Sequence, residues 1–518
     1  MGPSLLARSA LVVGACAALS RVLGFARDVL LAAVLGAGPA ADAFVVAFRL
    51  PGLFRRVLGE GALNGGLVPV ENRLRREEGD ERARRFAGEA LAGVGLAMLG
   101  VVALAELAAP LLVLALAAGY ADDPTRFGLA VDYTRLMLPL VGASMLTATA
   151  GALLNARGRV LAAALAPVAV NLVLVAVLLA LRASDAAPER LGLWLAAATT
   201  LAGIVHLAAL AAAIRTMPDR PLWSRPRWSP ELRRALAIGA PGLLTMAAGQ
   251  LAIVVATQIA SRTDAAVARL YYADRLYQLP LGFVAAGAGV VLLPEMVRLW
   301  ASGGGAAVAG AVNRSLAWTL LLVLPAAVAL ATLAQPIVSV LFERGEFGRE
   351  DAVATAQALA ALAPGLPLAA VVRVLAQPFL ARESVRAPLA AALAGVAATA
   401  AAATALAPAW DVAGIAAGVT VGAAVHAALL AAAAWSAGWL RPDRATASRV
   451  LRMAACSVLM GAAVAAAAAG AAPALSPDGG SMGRVAALLA LCAGGAALYG
   501  ALALASGAAS LRDLRGES

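Results

Sequence analysis

The sequence has no lysine, three cysteines, two histidines and few aromatic residues, and each shortage removes a class of protein. All 41 basic residues are arginine. They gather at the ends of apolar blocks, the distribution of topology determinants and not of a nucleic-acid-binding stripe, despite a formal net charge of +11. No nucleic-acid partner is therefore expected. Cys16, Cys456 and Cys492 fall inside apolar runs without ligand spacing, and His206 and His426 stand alone. That excludes the usual zinc and disulfide frameworks, and no metal or other cofactor is expected. No nucleophile–base pair is evident either, so the reading is not that of an enzyme. Charge itself is scarce: 14% of residues are charged against 62% hydrophobic, with a mean hydropathy of +0.85. A soluble fold of 518 residues needs more charge than this to cover its surface.

What is present is a series of apolar blocks of roughly 20 to 30 residues, each long enough to cross a bilayer as a helix. Alanine, leucine and glycine dominate them, which favours closely packed helices over a β-barrel. The expected fold is an all-α polytopic membrane protein of about fourteen helices, near 6–36, 41–60, 85–117, 127–155, 160–182, 190–214, 231–261, 266–299, 314–341, 352–380, 387–408, 411–437, 449–472 and 483–508. An amphipathic, arginine-rich segment at 71–86 lies between the second and third. The stretch VVGAC ending at Cys16 is read as part of the first helix and not as a lipoprotein signal, because a polar helical face continues through residues 20–28. With this count, 24 loop arginines fall on one side and eight on the other. The positive-inside rule then places both termini in the cytoplasm. A faint repeat relates 136–159 to 362–384: Pro139 and Arg157 match Pro364 and Arg382, each pair 225 residues apart. The expected organisation is an N-lobe at 1–215, a C-lobe at 216–440 and two further helices at 441–518.

The informative polar residues lie where a bilayer tolerates them least. In SRVLGFARD, Ser20, Arg21, Gly24, Arg27 and Asp28 share one face of the first helix. An arginine at the bilayer centre costs about 3 kcal/mol on insertion scales. The two arginines either snorkel to an interface or line a polar cavity. Their separation of roughly 9 Å along the axis, with apolar turns on both sides, favours the cavity. In the second helix, DAFVVAFRLPGLFRRVLGEG, Asp42, Arg49, Arg55, Arg56 and Glu60 interrupt the apolar pattern. Arg56 and Glu60 are spaced to pair at i, i+4, whereas Arg55 has no such local acid. LYYADRLYQLP at 270–280 carries Asp274-Arg275, which on its own reads as an adjacent acid–base pair at an interface.

Taken together, SRVLGFARD, ADAFVVAFRLPGLFRRVLGEGA, LVPV, LYYADRLYQLPLG and LLPEM, in order and spacing, and LFERGEF after the ninth helix resemble the signature stretches of the MurJ (MviN) family of the MOP flippase superfamily. The resemblance implies two six-helix lobes around a central cationic cavity, plus two C-terminal helices that form a groove for a lipid tail. It implies a transporter of lipid II, the undecaprenyl-pyrophosphate-linked peptidoglycan precursor, in the bacterial inner membrane. Its partners would be lipid II and membrane lipids, with cell-wall synthesis proteins as further candidates. Carried over by motif position, the cavity residues are Ser20, Arg21, Arg27, Asp28, Asp42, Arg55, Glu60 and Arg275. The chain departs from the family pattern in GALNGGLVP after Glu60, and in lacking any carboxylate at 235–260, where the family's sodium-site pattern has an acid. A flippase for another polyprenyl-linked glycan and a multidrug antiporter of the same superfamily are the alternative readings.

Overall fold

The structure is a computed structural model describing residues 3–57, 64–222, 224–227, 229–287, 293–301, 305–382, 384–476 and 480–509. The described residues are almost all helical, and the chain divides into two compact units, Met1–Gln250 and Leu251–Ser518. The first contains α1 (Pro3–Leu35), α2 (Pro39–Phe54), α3 (Asn64–Glu77), α4 (Asp80–Leu107), α5 (Ala109–Leu116), α6 (Pro124–Ala156), α7 (Val160–Leu181) and α8 (Pro188–Arg215). Helix α9 (Pro230–Ala260) runs across the boundary. The second contains α10 (Ala266–Gly287), α11 (Leu293–Ala301), α12 (Gly305–Thr332), α13 (Ala334–Phe342), α14 (Arg349–Leu362), α15 (Gly365–Ala381), α16 (Arg386–Ser436), α17 (Arg444–Gly470), α18 (Ala472–Leu475) and α19 (Ser481–Ala505).

The faint repeat in the sequence is a repeat of helices. Asp80 and Leu107 bound α4, and the residues 225 further on, Gly305 and Thr332, bound α12. Likewise α5 and α13 begin at Ala109 and Ala334, and α6 spans the counterpart of α14 plus α15, from Pro124 against Arg349 to Ala156 against Ala381. Within the second unit that long helix is broken, with a 43° bend between α14 and α15 at Pro364.

Among the described residues eight helices are long and apolar enough to cross a membrane, and nine if the bent pair counts as one span. One of the eight, α16, is two helices. Asp411 has φ 49°, in the left-handed region, and turns the chain back on itself. The halves then lie against each other through small residues four apart. A Cβ on Gly418 would fall 2.4 Å from the Ala403 nitrogen, and one on Gly422 would fall 1.8 Å from Thr399 Oγ1. Only glycine permits that approach, the usual device for packing helices in lipid. The break therefore falls where the sequence places a boundary between 387–408 and 411–437. At the start of α6, Asp123 caps the helix by accepting from the Thr125 and Arg126 amides at 3.0 and 3.1 Å. The same amides and the Arg126 guanidinium hold its carboxyl below the usual carboxylate range.

Candidate functional site

The polar face of α1 is a bonded group in which one residue of α7 takes part. Arg27 donates from Nη2 and Nε to Asp28 Oδ1 at 2.7 and 3.1 Å, and from Nη1 to Asn171 Oδ1 at 3.3 Å. Asn171 in turn donates from Nδ2 to the Ser20 carbonyl at 3.0 Å and to Ser20 Oγ at 3.3 Å. Its side chain lies over Gly24, so the face that periodicity picked out is the face α7 covers. The Arg27 guanidinium also sits 5.5 Å from the centre of the Phe48 ring of α2. Asp28 and Asn171 are buried, and Arg27 is mostly so. Arg21 is exposed.

Helix α2 distributes its charges over two places. Its C-terminal turn widens at residues 55–57, four residues after Pro51, which removes a backbone donor. Arg55 is exposed there. Arg56 donates to Gln250 Oε1 of α9 at 3.1 Å. Glu60 lies outside the described residues. Asp42, at the other end of α2, belongs to a different group. It is fully buried, 4.0 Å from Arg126 Nη1, and Arg126 also bonds Asp123 at 2.7 Å and lies 5.3 Å from the Tyr120 ring centre. That cluster fixes the start of α2 to the start of α6.

The second unit builds a similar station from different positions. Arg275 of α10 pairs with the adjacent Asp274 at 3.2 Å and lies 4.8 Å from the centre of the Tyr271 ring. Gln278, one turn on, donates to the same Asp274 oxygen. Arg27 and Arg275 thus share a composition: a neighbouring carboxylate, an aromatic face and an amide-bearing residue. Such a setting keeps a guanidinium charged in a low-dielectric surround. It also holds its planar fork ready for an acceptor-rich anion able to replace the carboxylate.

Three contributors escaped the sequence reading. Asn171 is one polar residue in the apolar run VAVNLVLVAV, and an isolated amide in such a run was the available signal. Arg373, inside α15, donates to the Leu281 carbonyl of α10 at 3.2 Å, and Gln377 bonds its carbonyl in turn. An arginine within an apolar span signals function by default. Arg126 was assigned to a loop, yet it is buried against Asp42.

The chain is similar to known proteins in sequence and in fold. The family model described as lipid II flippase MurJ matches residues 31–476. A relative from Rhizobium meliloti, "Probable lipid II flippase MurJ", is 39% identical over 378 residues, covering 73% of this chain and 71% of that protein. "Lipid II flippase MurJ" from Burkholderia cenocepacia is 31% identical over 390 residues, 74% of each chain. Among solved structures, "Lipid II flippase MurJ, inward closed conformation" superposes with a TM-score of 0.76 at 20% identity, covering 95% of this chain and 98% of that one. An inward-facing multidrug-resistance MATE transporter of the MOP superfamily gives 0.65 at 16% identity, covering 79% and 92%. The shared helical architecture, and a sequence match that runs through nearly all of it, lead to one conclusion: the chain belongs to the MurJ family of lipid II flippases.

Proposed function

We propose that this protein carries lipid II from the inner to the outer leaflet of the bacterial inner membrane by alternating access, as a transporter and not an enzyme. Both termini face the cytoplasm, the side favoured by the arginine count. The substrate's pyrophosphate cannot enter hydrocarbon bare, and arginine binds phosphate oxygens through two parallel bonds while staying charged. Arg27, Arg55 and Arg275 are the residues proposed to grip it. Asp28 and Asp274 hold two of these arginines in place when no substrate is present. Ser20, Arg21, Asp42 and Glu60 complete the proposed set, Asp42 by bracing the start of α2.

The observation that carries the reading is the Arg27 group, a guanidinium held inside the first unit by Asp28, Asn171 and Phe48. A transporter of organic cations is better served by carboxylates open to its cargo, whereas here the Asp28 carboxylate is taken up by Arg27. Transport of an anion outward is also favoured by an inside-negative potential, about 2.3 kcal/mol per charge per 100 mV. The test is rescue of a bacterium depleted of its own lipid II flippase. The protein should restore wall synthesis and prevent lysis. Failure to rescue at normal membrane abundance, with restoration of a different polyprenyl-linked glycan in a strain lacking that flippase, would reassign the substrate.

A further inference from the structure

The connection between α8 and α9, residues 216–229, is fourteen residues long, more than most loops in compact folds, and none of its described residues is helical. It is nevertheless fixed to the first unit. The Leu222 amide donates to the Arg84 carbonyl at 3.0 Å, Arg84 Nε donates to the Arg220 carbonyl at 2.9 Å, and Ser224 Oγ donates to the Arg85 carbonyl at 3.4 Å. The strand of chain lies so close to α4 that a Cβ on Gly88 would fall 1.8 Å from the Leu222 oxygen.

This docking sorts the charges of the segment by sign. Its one acid, Asp219, and the first acid of α9, Glu231, are both taken up by arginines of the first unit: Asp219 lies 3.5 Å from Arg157, and Glu231 lies 2.8 Å from Arg82. Arg220, Arg225, Arg227, Arg233 and Arg234 are all exposed, and among the described residues none of the five pairs with a carboxylate. Pro221 and Pro226 disfavour helix around Arg220, Arg225 and Arg227, and Pro230 opens α9, whose first two turns carry Arg233 and Arg234. Trp223 and Trp228, which lie outside the described residues, interleave them in sequence, and tryptophan is the side chain most enriched at membrane interfaces.

We propose that this arginine face, from Arg220 to Arg234, is a binding surface for the phosphates of anionic phospholipids at the membrane surface. Five uncompensated arginines beside the first turn of a long apolar-rich helix match a layer of lipid phosphates, and each basic residue near such a surface contributes about five-fold in affinity. The surface is separate from the arginines proposed to grip the substrate. Only the choice of the inner leaflet rests on the orientation proposed above.

The test reads the surface directly and does not depend on transport. Arg220 and Arg225 precede prolines, which trypsin does not cut, so the Arg227–Trp228 bond reports on the exposed segment. Purified full-length protein is digested in detergent micelles doped with phosphatidylglycerol, with phosphatidylcholine, or with inorganic pyrophosphate at matched phosphate. Phosphatidylglycerol should slow this cut by about ten-fold or more and the other two by less than about two-fold, with the protection disappearing at high salt. The variant R220Q/R225Q/R233Q/R234Q retains the cleavage site and should be cut equally fast in both lipids. Equal protection by phosphatidylcholine would overturn the proposal in favour of tryptophan anchoring. Equal protection by pyrophosphate would replace it with a soluble-phosphate site. Undiminished phosphatidylglycerol protection in the variant would remove these arginines from the interaction. The comparison of lipids on the unmodified protein stands even if the variant fails to fold.

Discussion

Arg157 and Arg382 end equivalent helices, α6 and α15, in one backbone conformation and with opposite surroundings. Their cap geometries nearly coincide, at φ −101°, ψ 12° and φ −102°, ψ 9°. The Leu154 carbonyl accepts from the Arg157 and Arg159 amides at 3.2 and 2.9 Å, and the Phe379 carbonyl accepts from the Arg382 and Ser384 amides at 3.1 and 2.9 Å. In the first unit the Arg157 side chain, 1% exposed, forms an ion pair with Glu71 at 2.7 Å, and the Glu71 side chain is wholly buried. Arg75 joins Glu71 at 3.2 Å and Asp219 approaches Arg157 at 3.5 Å. In the second unit Arg382 lies 5.0 and 5.8 Å from the ring centres of Trp300 and Trp439, which meet edge to face. A shift of 225 residues places Met296 opposite Glu71 and Trp300 opposite Arg75.

The molecule therefore contains both solutions to one packing problem. The aromatic version shows that closing this end of a unit does not require a buried ion pair. Burial pushes the Glu71 carboxyl up and pulls the Arg157 guanidinium down, in spite of their mutual attraction. Desolvation outweighs pairing for both, as physical accounts of buried ion pairs lead one to expect. What the charged version adds is connection: Glu71 binds α3 to α6, and Asp219 brings in the chain that leads to α9.

Breaking one side of the pair should have the largest effect on stability. Glu71→Ala leaves Arg157 buried without its closest carboxylate, and the loss should be about 3–5 kcal/mol in the unfolding of detergent-purified protein. The next test removes both charges. Glu71→Met with Arg157→Met should recover at least half of that loss, because a hydrophobic pair of similar volume is often neutral or stabilising. A double variant as unstable as the single one would mean that the aromatic unit is no guide to the charged one. A smaller change is expected from Arg382→Gln, which removes a cation from two indole faces while leaving the Trp300–Trp439 and Phe379–Trp439 contacts intact. About 1 kcal/mol is expected from thermal unfolding, and a loss as large as that of Glu71→Ala would erase the distinction.

The same comparison shows what a single sequence discloses. The α1 face was legible because four polar residues and a glycine at helical spacing in an apolar block leave few other arrangements. The repeat was legible only through Pro139, Arg157, Pro364 and Arg382. Most of its other equivalent positions, such as Glu71 and Met296, carry different chemistry. The turn at Asp411 was legible as the boundary between the apolar runs 387–408 and 411–437. The partners of these residues were not visible. Arg157 reads as a loop arginine that marks the cytoplasmic side, and nothing local shows that Glu71, 86 positions earlier, buries it. Asn171, Phe48 and Tyr271 join their stations through tertiary packing, which the periodicity of one helix does not encode. Among the described residues, length and composition pick out eight crossing helices, nine with the bent pair, with the two halves of α16 counted as one. The proposed site is built on α1, α2 and α10, helices that carry charged residues within their apolar runs.

The central claim is that Arg27, Arg55 and Arg275 act through the planar fork of the guanidinium and not through charge alone. The most direct measurement is rescue of flippase-depleted cells by Arg27→Lys, Arg55→Lys and Arg275→Lys, with membrane abundance checked by immunoblot. Lysine preserves the charge and reaches an interface about as well as arginine, but it offers a single, strongly hydrated donor centre. At two or more of the three sites the lysine variant should rescue poorly or not at all, and alanine at any one should abolish rescue. Full rescue by all three lysine variants would contradict the bidentate grip, and full rescue by all three alanine variants would remove these arginines from transport.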